Sequence, residues 1–193
     1  ALAIYRAIGS RLGEANVLRA LGDVKVREGD LGGAREDYAA ALAIYRAIGL
    51  RLGEANVLRA LGDVKVREDD LGGAREDYDA ALAIYRAIGS RLGEADVLKA
   101  LGHVKVREGD LGGAREDYAA ALEIYRAIGD RLGEANVLQA RGDVKVREGD
   151  LGGAREDYAA ALAIYRAIGL RLGEANVLQA RGDVKVREGD LGG

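Results

Sequence analysis

The chain has 193 residues and a net charge of −3, with charged side chains at 32% of its positions, and it lacks Pro, Cys, Met, Trp and Phe. Mixed charges that nearly balance argue against a nucleic-acid-binding or membrane-surface protein. No apolar run approaches the ~18 residues that a membrane span needs. The absence of cysteine excludes disulfides and thiol chemistry, and we expect a cytoplasmic protein.

A 40-residue repeat fills the whole chain. The segment at residues 1–40 returns at residue 41 with three changes, at positions 50, 69 and 79, and recurs from residues 81, 121 and 161. The last copy ends seven residues short of a full period. A fixed period of this length predicts an array of stacked supersecondary units with one continuous core. Because the chain begins without Met inside an apolar-periodic segment, we interpret it as a piece of a longer array.

The first part of each unit predicts a helix. Apolar residues recur at steps of three and four at Leu12, Ala15, Leu18, Leu21, Gly22 and Val26. The residue before this helix can act as an N-cap where it is serine or aspartate, but not where it is leucine. Across the five copies this residue is Ser10, Leu50, Ser90, Asp130 and Leu170.

A turn and a second helix follow. Gly29 can take the left-handed conformation that ends a helix, and Asp30 can cap the next one. Asp69 replaces that glycine in the second copy, so we expect strain or a reshaped turn there. The second apolar stripe contains Ala34, Tyr38, Ala41, Leu42, Tyr45 and Ile48. Each unit is therefore predicted to be an αα-hairpin.

The prediction for the whole chain is a single array over residues 1–193. The first helices are predicted at about 11–28, 51–68, 91–108, 131–148 and 171–188. The second helices are predicted at about 31–48, 71–88, 111–128 and 151–168, with a partial helix at 1–8. Gly32 and Gly33 lie in the first turn of a second helix, where they indicate a close approach, plain tolerance or a hinge.

These residues resemble the tetratricopeptide repeat (TPR) family. The resemblance rests on Leu18, Leu21 and Gly22, on Gly29-Asp30-Leu31, and on Ala34, Tyr38 and Ala41-Leu42. Residues 128–135 also resemble a signature of long, 40-residue variants found in partner-of-inscuteable-type adaptors and in arrays attached to bacterial signalling NTPases. The resemblance implies an all-α fold, a right-handed α-solenoid of stacked αα-hairpins in a TPR-like superhelix.

The resemblance also implies that first helices line a concave groove. Residues spaced i, i+3 and i+7 on each first helix share that face. We call these positions the groove column. Its candidate binding residues are Asn16, Arg19, Asp23, Asn56, Arg59, Asp63, Asp96, Lys99, His103, Asn136, Gln139, Asp143, Asn176, Gln179 and Asp183. Differences between copies collect here, and they reflect either drift after duplication or tuned recognition.

Three interpretations of the groove column follow from its chemistry. The asparagines can bind the backbone of an extended peptide, or they can bond neighbouring helices. His103 with Asp96 supplies too few ligands for a transition metal, so a hydrogen-bonded groove residue is favoured. Some TPR proteins hold a terminal carboxylate with a Lys and Asn clamp, but Asp23 and Asp63 stand where that clamp keeps Asn, and a carboxylate ligand would meet a like charge.

Three positions depart from the family pattern. Lys25 stands where a large apolar residue is usual, and we expect its aliphatic stem to pack while its ammonium group reaches water. Arg141 and Arg181 replace Leu21, which indicates either a position near the rim or looser C-terminal units. The sequence contains no catalytic constellation, so we expect neither an enzyme nor a cofactor or metal.

We therefore predict a protein-interaction scaffold that binds a peptide or helical segment of a partner protein in its groove. The alternative is a structural, engineered or recently duplicated array with no native ligand that associates end to end. Residues 171–188 lack a following second helix in the sequence, so Leu178 and Val184 are expected to be exposed. We expect no nucleic-acid or membrane partner.

Overall fold

The helices of the computed structural model, which describes residues 1–189, follow the 40-residue period of the sequence. The first helices of the repeats are α2 (Arg11–Glu28), α4 (Arg51–Arg67), α6 (Arg91–Glu108), α8 (Arg131–Glu148) and α10 (Arg171–Arg187). The second helices are α3 (Leu31–Ala47), α5 (Leu71–Ala87), α7 (Leu111–Ile128) and α9 (Leu151–Ala167), and α1 (Leu2–Ala7) precedes them. Residues 1–189 contain no β-strand.

Helix starts follow the predicted caps. The Ser10 hydroxyl accepts the Gly13 N–H at 3.3 Å, and the Asp130 carboxylate accepts the equivalent N–H at 2.9 Å. Leu50 and Leu170 make no side-chain cap bond, as expected. Every second helix from α3 onward begins at an aspartate whose side chain accepts a backbone N–H three residues later.

The turn between the two helices of a repeat requires a left-handed residue. Gly29 has φ = 83°, and Asp69, which replaces this glycine in the second copy, has φ = 65°. The aspartate therefore adopts the backbone conformation of the glycine. Of the two predicted outcomes, strain rather than a reshaped turn is observed.

Two units divide the chain: the first is Ala1–Val97, and the second begins at Leu98. Within the first, α2 packs on α3, α3 on α4 and α4 on α5. Within the second, α7 packs on α8, α8 on α9 and α9 on α10. Each unit is thus a stack of αα-hairpins, and the predicted all-α solenoid class is confirmed. That residues 1–193 form one array stays a prediction.

The predicted core is buried. Leu18, Ala34, Tyr38, Ala41 and Leu42 are each at most 8% exposed. Two residues of the predicted apolar stripes are exposed instead, and the expected exposure of Val184 was wrong. Leu12 and Ile48 are exposed because they lie at the turns between hairpins, where helix ends extend past their neighbours. Val184 is buried although Leu178, on the same helix, is exposed as expected.

Tyrosine rings lie flat against glycines of the first helices. A Cβ at Gly22 would lie 2.6 Å from the Tyr38 ring, and a Cβ at Gly53 would lie 2.5 Å from the Tyr45 ring. These glycines therefore allow the close approach of two helices. Gly33 leaves room for the Asp30 carboxylate that caps the helix, whereas Gly32 has open space around it. Gly33 is therefore explained by the cap contact, and Gly32 by tolerance; neither glycine marks a close approach of two helices.

In the part of the chain that the structure describes, no helix combines the length and the apolar character needed to cross a membrane.

Candidate functional site

Candidates from three repeats line one pocket of the second unit. The pocket has a volume of about 420 Å³. The candidates in its wall are Lys99, His103, Asn136, Gln139, Asp143 and Asn176. Its apolar part comes from Ala140, Leu170 and Leu172. The structure thus places α6, α8 and α10 so that their groove-column residues meet around one space. The candidates of the first unit, residues 16 to 96, lie on α2, α4 and the first part of α6.

A tyrosine hydroxyl orients the amides of this pocket. The single hydroxyl proton of Tyr165 is shared between two acceptors: Oη lies 2.7 Å from Oδ1 of Asn136 and 3.2 Å from Oε1 of Gln139. Both amide carbonyls are therefore engaged by the second helix of the same repeat. Among residues 1–189, no acceptor takes a hydrogen bond from Nδ2 of Asn136 or Nε2 of Gln139. The two NH₂ groups remain available as donors.

The same contact recurs in the first unit. Tyr45 donates to Asn16 and Tyr85 donates to Asn56, each at 2.7 Å. The asparagine carbonyls thus bond a neighbouring helix, which is one of the two roles predicted for this column. Burial raises the pKa of Tyr85, so this hydroxyl stays protonated and continues to donate at neutral pH.

The third position of the groove column has its own tyrosine. Tyr38 donates to Asp23 at 2.7 Å, and Tyr158 donates to Asp143 at 2.6 Å. Burial, followed by the neighbouring carboxylate, raises the pKa of Tyr38. The Asp63 carboxylate accepts the same bond from Tyr78 at 2.7 Å. Asp23, Asp63 and Asp143 are therefore each held in place by a tyrosine hydroxyl.

His103 takes the place of aspartate in this pattern. Its Nδ1 lies 2.8 Å from the Tyr118 hydroxyl, and the two rings meet edge to face at 5.4 Å between centroids. Burial and the charge of Lys99 lower its pKa, so the ring is neutral at pH 7 and Nδ1 can accept a hydrogen bond from the Tyr118 hydroxyl. Within residues 1–189, no three His, Asp or Glu side chains are placed to hold a metal ion.

Cations of the column are engaged by neighbours. Arg19 lies 3.6 Å from Asp23, and Arg59 lies 3.2 Å from Asp96. The aspartate that replaces asparagine at position 96 therefore meets an arginine of the preceding repeat. In the second unit, the Lys99 ammonium lies 5.8 Å from the centroid of the Tyr125 ring. Such a distance is typical of a cation–π contact.

A smaller pocket of about 200 Å³ lies beside the first. It is lined by Asp143 and Asp183, with Arg147, Arg187 and Tyr158 among its other residues. Burial raises the pKa of Asp143, although the Tyr158 hydrogen bond opposes this shift. Gln179, the remaining candidate on α10, is exposed.

Two of the three departures from the family pattern have structural explanations. Arg141 forms a two-pronged ion pair with Asp157, and its Nε lies 2.7 Å from Oδ2 of that carboxylate. Lys145 lies 3.0 Å from the same carboxylate. Arg141 is part-exposed, so its position lies at a rim rather than in a loosened core. The Lys25 ammonium group was expected to reach water, but it forms an ion pair with Asp37 at 2.7 Å.

An Arg–Glu–Arg triplet joins successive hairpins. The buried Glu54 carboxylate accepts Nε–H of Arg46 at 2.9 Å and an N–H of Arg51 at 2.5 Å. The equivalent triplets centre on Glu14, Glu94, Glu134 and Glu174. This contact explains why arginine and glutamate flank each turn between repeats.

Sequence reasoning did not assign the tyrosines to the candidate site. A detectable signal existed, because a tyrosine follows Asn16 by 29 residues and Asp23 by 15, and the same offsets recur in later copies. A tyrosine in a stripe of Ala and Leu needs a partner for its hydroxyl, and these polar positions are one helix away. The leucines of the pocket, Leu170 and Leu172, were also missed because they lie at a turn.

The chain belongs to the tetratricopeptide repeat family. The sequence profile of that family matches residues 13–87, 53–127 and 93–167, which together cover most of the chain. Proteins of this family are generally not catalysts. No curated protein matches the chain in sequence.

Several solved structures share the fold. BtubC from P. vanneervenii is 17% identical, with a TM-score of 0.73 over 98% of this chain and 86% of that one. RapI is 14% identical, with a TM-score of 0.83 over 98% of this chain and 54% of that one. A signal transduction ATPase with numerous domains and a tetratricopeptide repeat sensor, from Pyrococcus horikoshii, is 15% identical, with a TM-score of 0.81 over 92% of this chain. This chain spans about half of RapI and 28% of the ATPase.

Proposed function

We propose that this protein is an interaction scaffold whose groove column binds an extended or helical peptide segment of a partner protein. The observation that carries the proposal is the pocket of about 420 Å³ that gathers candidate residues from three repeats. Its wall combines amides, a lysine and leucines, which suits a peptide with both polar and aliphatic groups. The family and the tetratricopeptide repeat sensor of the Pyrococcus ATPase support the same role.

The amides give the pocket its hydrogen-bonding character. Because Tyr165 occupies the carbonyls of Asn136 and Gln139, their NH₂ groups are presented as a pair of donors. Asn176 adds a third amide from the next repeat. Donors held in fixed orientation suit the carbonyl groups along a peptide backbone, whose polar groups need partners once water is displaced.

The test selects peptides from a random 15-residue phage library on the 193-residue chain and measures their affinity by fluorescence polarisation. We expect the Asn136→Ala/Gln139→Ala double variant to weaken binding of groove-selected peptides at least about tenfold. Glu116→Ala/Glu156→Ala is the control, because both side chains are exposed on second helices of the same unit and lie outside the groove column. Equal affinity for wild type and the double variant across all selected peptides would refute the proposal.

A second proposed role is end-to-end self-association of the 193-residue chain. Ile4 is 63% exposed although its equivalent Ile44 is 5% exposed, and Leu178 is 43% exposed although Leu138 is 2% exposed. Surfaces at α1 and α10 thus present side chains that internal repeats bury. Because the repeats are nearly identical, these two surfaces should be complementary, and a head-to-tail contact of this kind need not close into a ring.

Sedimentation velocity over a wide concentration range tests self-association. We expect the weight-average sedimentation coefficient of the wild type to rise with concentration, and Leu178→Glu to abolish the rise. Glu36→Ala, on an exposed position away from both surfaces, serves as the control. A wild-type chain that stays monomeric at high concentration would show that the end contact does not form.

A further inference from the structure

The turns that join successive hairpins all lie along the same edge of a unit. The helices of a hairpin are antiparallel, so all turns between hairpins lie at one end of the helices and all turns within hairpins lie at the other. In the first unit, three turns between hairpins contribute, at residues 6–14, 46–54 and 86–94. We call these three segments the inter-hairpin edge.

Large aliphatic side chains are exposed along this edge. Each turn exposes an isoleucine before the glycine and a leucine in the first turn of the next helix, and the second turn adds Leu50. These residues are Ile8, Leu12, Ile48, Leu50, Leu52, Ile88 and Leu92, each at least 38% exposed. Three successive turns therefore each present exposed aliphatic side chains along one edge of the unit, and exposed apolar groups gathered in this way commonly mark an interaction site.

The edge carries a charge opposite to that of the whole chain. The three segments contain six arginines and three glutamates, which give a net charge of +3, whereas the chain has −3. The glutamates are buried between the arginines, whose side chains are about half exposed. Hydrogen bonding from Arg6 lowers the pKa of Glu14. The edge therefore presents positive charge to its surroundings.

The arginines retain donors for a further acceptor. Arg46 and Arg51 each give one N–H group to Glu54 among residues 1–189. A guanidinium has five N–H groups in a planar fork that matches a carboxylate. Because Glu54 already holds both side chains in place, a second carboxylate meets donors whose geometry is fixed beforehand.

Leu50 supports a role beyond folding. Serine at position 10 and aspartate at position 130 cap the next helix, whereas Leu50 makes no cap bond. The leucine therefore forgoes a stabilising contact and exposes an aliphatic side chain beside Arg51. The missing cap bond and the exposed leucine do not stabilise the folded chain. The exposed leucine can instead contact a bound partner that has an apolar face.

We propose that the inter-hairpin edge of the first unit binds a second class of partner, an acidic amphipathic peptide segment whose carboxylates pair with the arginines and whose aliphatic side chains cover the exposed leucines and isoleucines. This site is separate from the pocket of the second unit. A membrane surface fits less well, because the edge has no Trp, Phe or Lys and each helix end offers only one or two aliphatic side chains.

The experiment uses three forms of the 193-residue chain and the same random 15-residue phage library. The edge variant is Leu50→Asp/Leu52→Gln/Leu92→Gln, in which the aspartate introduced before α4 reproduces the cap that Asp130 forms before α8. The pocket variant Asn136→Ala/Gln139→Ala is the matched control. Circular dichroism and urea unfolding verify that both variants fold.

We expect one class of selected peptides to be rich in Asp, Glu, Leu and Ile and to bind the pocket variant like wild type. The edge variant should bind these peptides at least tenfold more weakly than the wild type does. Raising NaCl from 50 to 500 mM should weaken the binding of these peptides to the wild type severalfold. Absence of this class, or its loss on the pocket variant instead, would overturn the proposal. If the wild type binds phosphatidylserine vesicles as tightly as it binds these peptides, the edge is a membrane site and the proposal is overturned. If the wild type dimerises and the edge variant does not, the edge contacts a second copy and the proposal is overturned as well.

Discussion

The Tyr78 ring lies directly against Gly62, so that a Cβ at this glycine would be 2.6 Å from Cε1 of the ring. The same contact occurs between Gly22 and Tyr38, between Gly102 and Tyr118, and between Gly142 and Tyr158. It also positions the Tyr78 hydroxyl for its hydrogen bond to Asp63. The glycine thus determines both the spacing of two helices and the geometry of a groove-column residue.

Gly62→Ala should destabilise the chain by about 1–3 kcal/mol, because the added methyl group overpacks the helix contact. Gly72→Ala is the matched control, since nothing lies within 4 Å of a Cβ there. That control should stabilise the chain by up to ~1 kcal/mol through helix propensity. Urea unfolding measures both, and equal effects at the two glycines would contradict the packing role of Gly62.

Asp69→Gly should stabilise the chain by about 1 kcal/mol, because a non-glycine residue with φ = 65° is strained. The reverse change, Gly109→Asp, should cost a similar amount at a position with φ = 86°. Thermal unfolding followed by circular dichroism compares the two variants. The two variants should change stability in opposite directions. A loss of stability in Asp69→Gly would show that a contact of the Asp69 carboxylate stabilises the chain by more than the backbone strain costs.

The stability contributed by Asp157 should be lost in acid. Burial of its carboxylate opposes ionisation, but hydrogen bonds from Arg141 and Lys145 outweigh burial and hold the pKa below 3.8. The folded chain therefore binds this proton less readily than the unfolded chain does. The contribution is complete above about pH 4 and disappears as the pH falls through the lowered pKa.

Arg141→Leu isolates this effect, because leucine is the residue at the equivalent positions 21, 61 and 101. The variant should lose stability relative to wild type at pH 6, and the difference should shrink below about pH 4 as Asp157 becomes protonated. Urea unfolding at several pH values from 2.5 to 7 measures the difference. A constant gap across that range would mean that Arg141 acts through packing alone.

Leu98→Ala should cost about 2–5 kcal/mol, since Leu98 is 4% exposed and truncation leaves a cavity. Arg35→Ala should change stability by less than about 1 kcal/mol, because its ion pair with Glu68 at 3.1 Å is exposed. Chemical denaturation distinguishes the two. Similar losses of stability in the two variants would show that the buried and exposed faces of the helices are assigned wrongly.

The repeat period and the cap residues were sufficient to predict the helices, because local chemistry decides both where a helix begins and which face is apolar. Leu12 and Ile48 belong to the predicted apolar stripes, yet both are exposed. Periodicity identifies their face of the helix, but it carries no information about where the neighbouring helix ends. Exposure at a turn is a tertiary property.

The candidate site was predicted only as a set of positions. Helix geometry placed Asn136 and Gln139 on one face, but their orientation depends on Tyr165, which lies 29 and 26 residues further along the chain. Likewise, the bond between Arg59 and Asp96 joins different repeats. Contacts of this kind depend on the distance between helices, which a single sequence does not give.

The tyrosine hydroxyls constrain how a combinatorial library could be built on this scaffold. A residue that replaces Asn16 or Asp23 must still accept a hydrogen bond from the hydroxyl of the tyrosine behind it. At position 103 the aspartate is exchanged for histidine, whose Nδ1 can accept such a bond. Position 19 faces no such requirement, and its equivalents hold Arg, Lys or Gln. Randomisation is therefore best concentrated at the positions equivalent to Arg19, while the two flanking positions are limited to Asn, Asp, Gln, Glu and His.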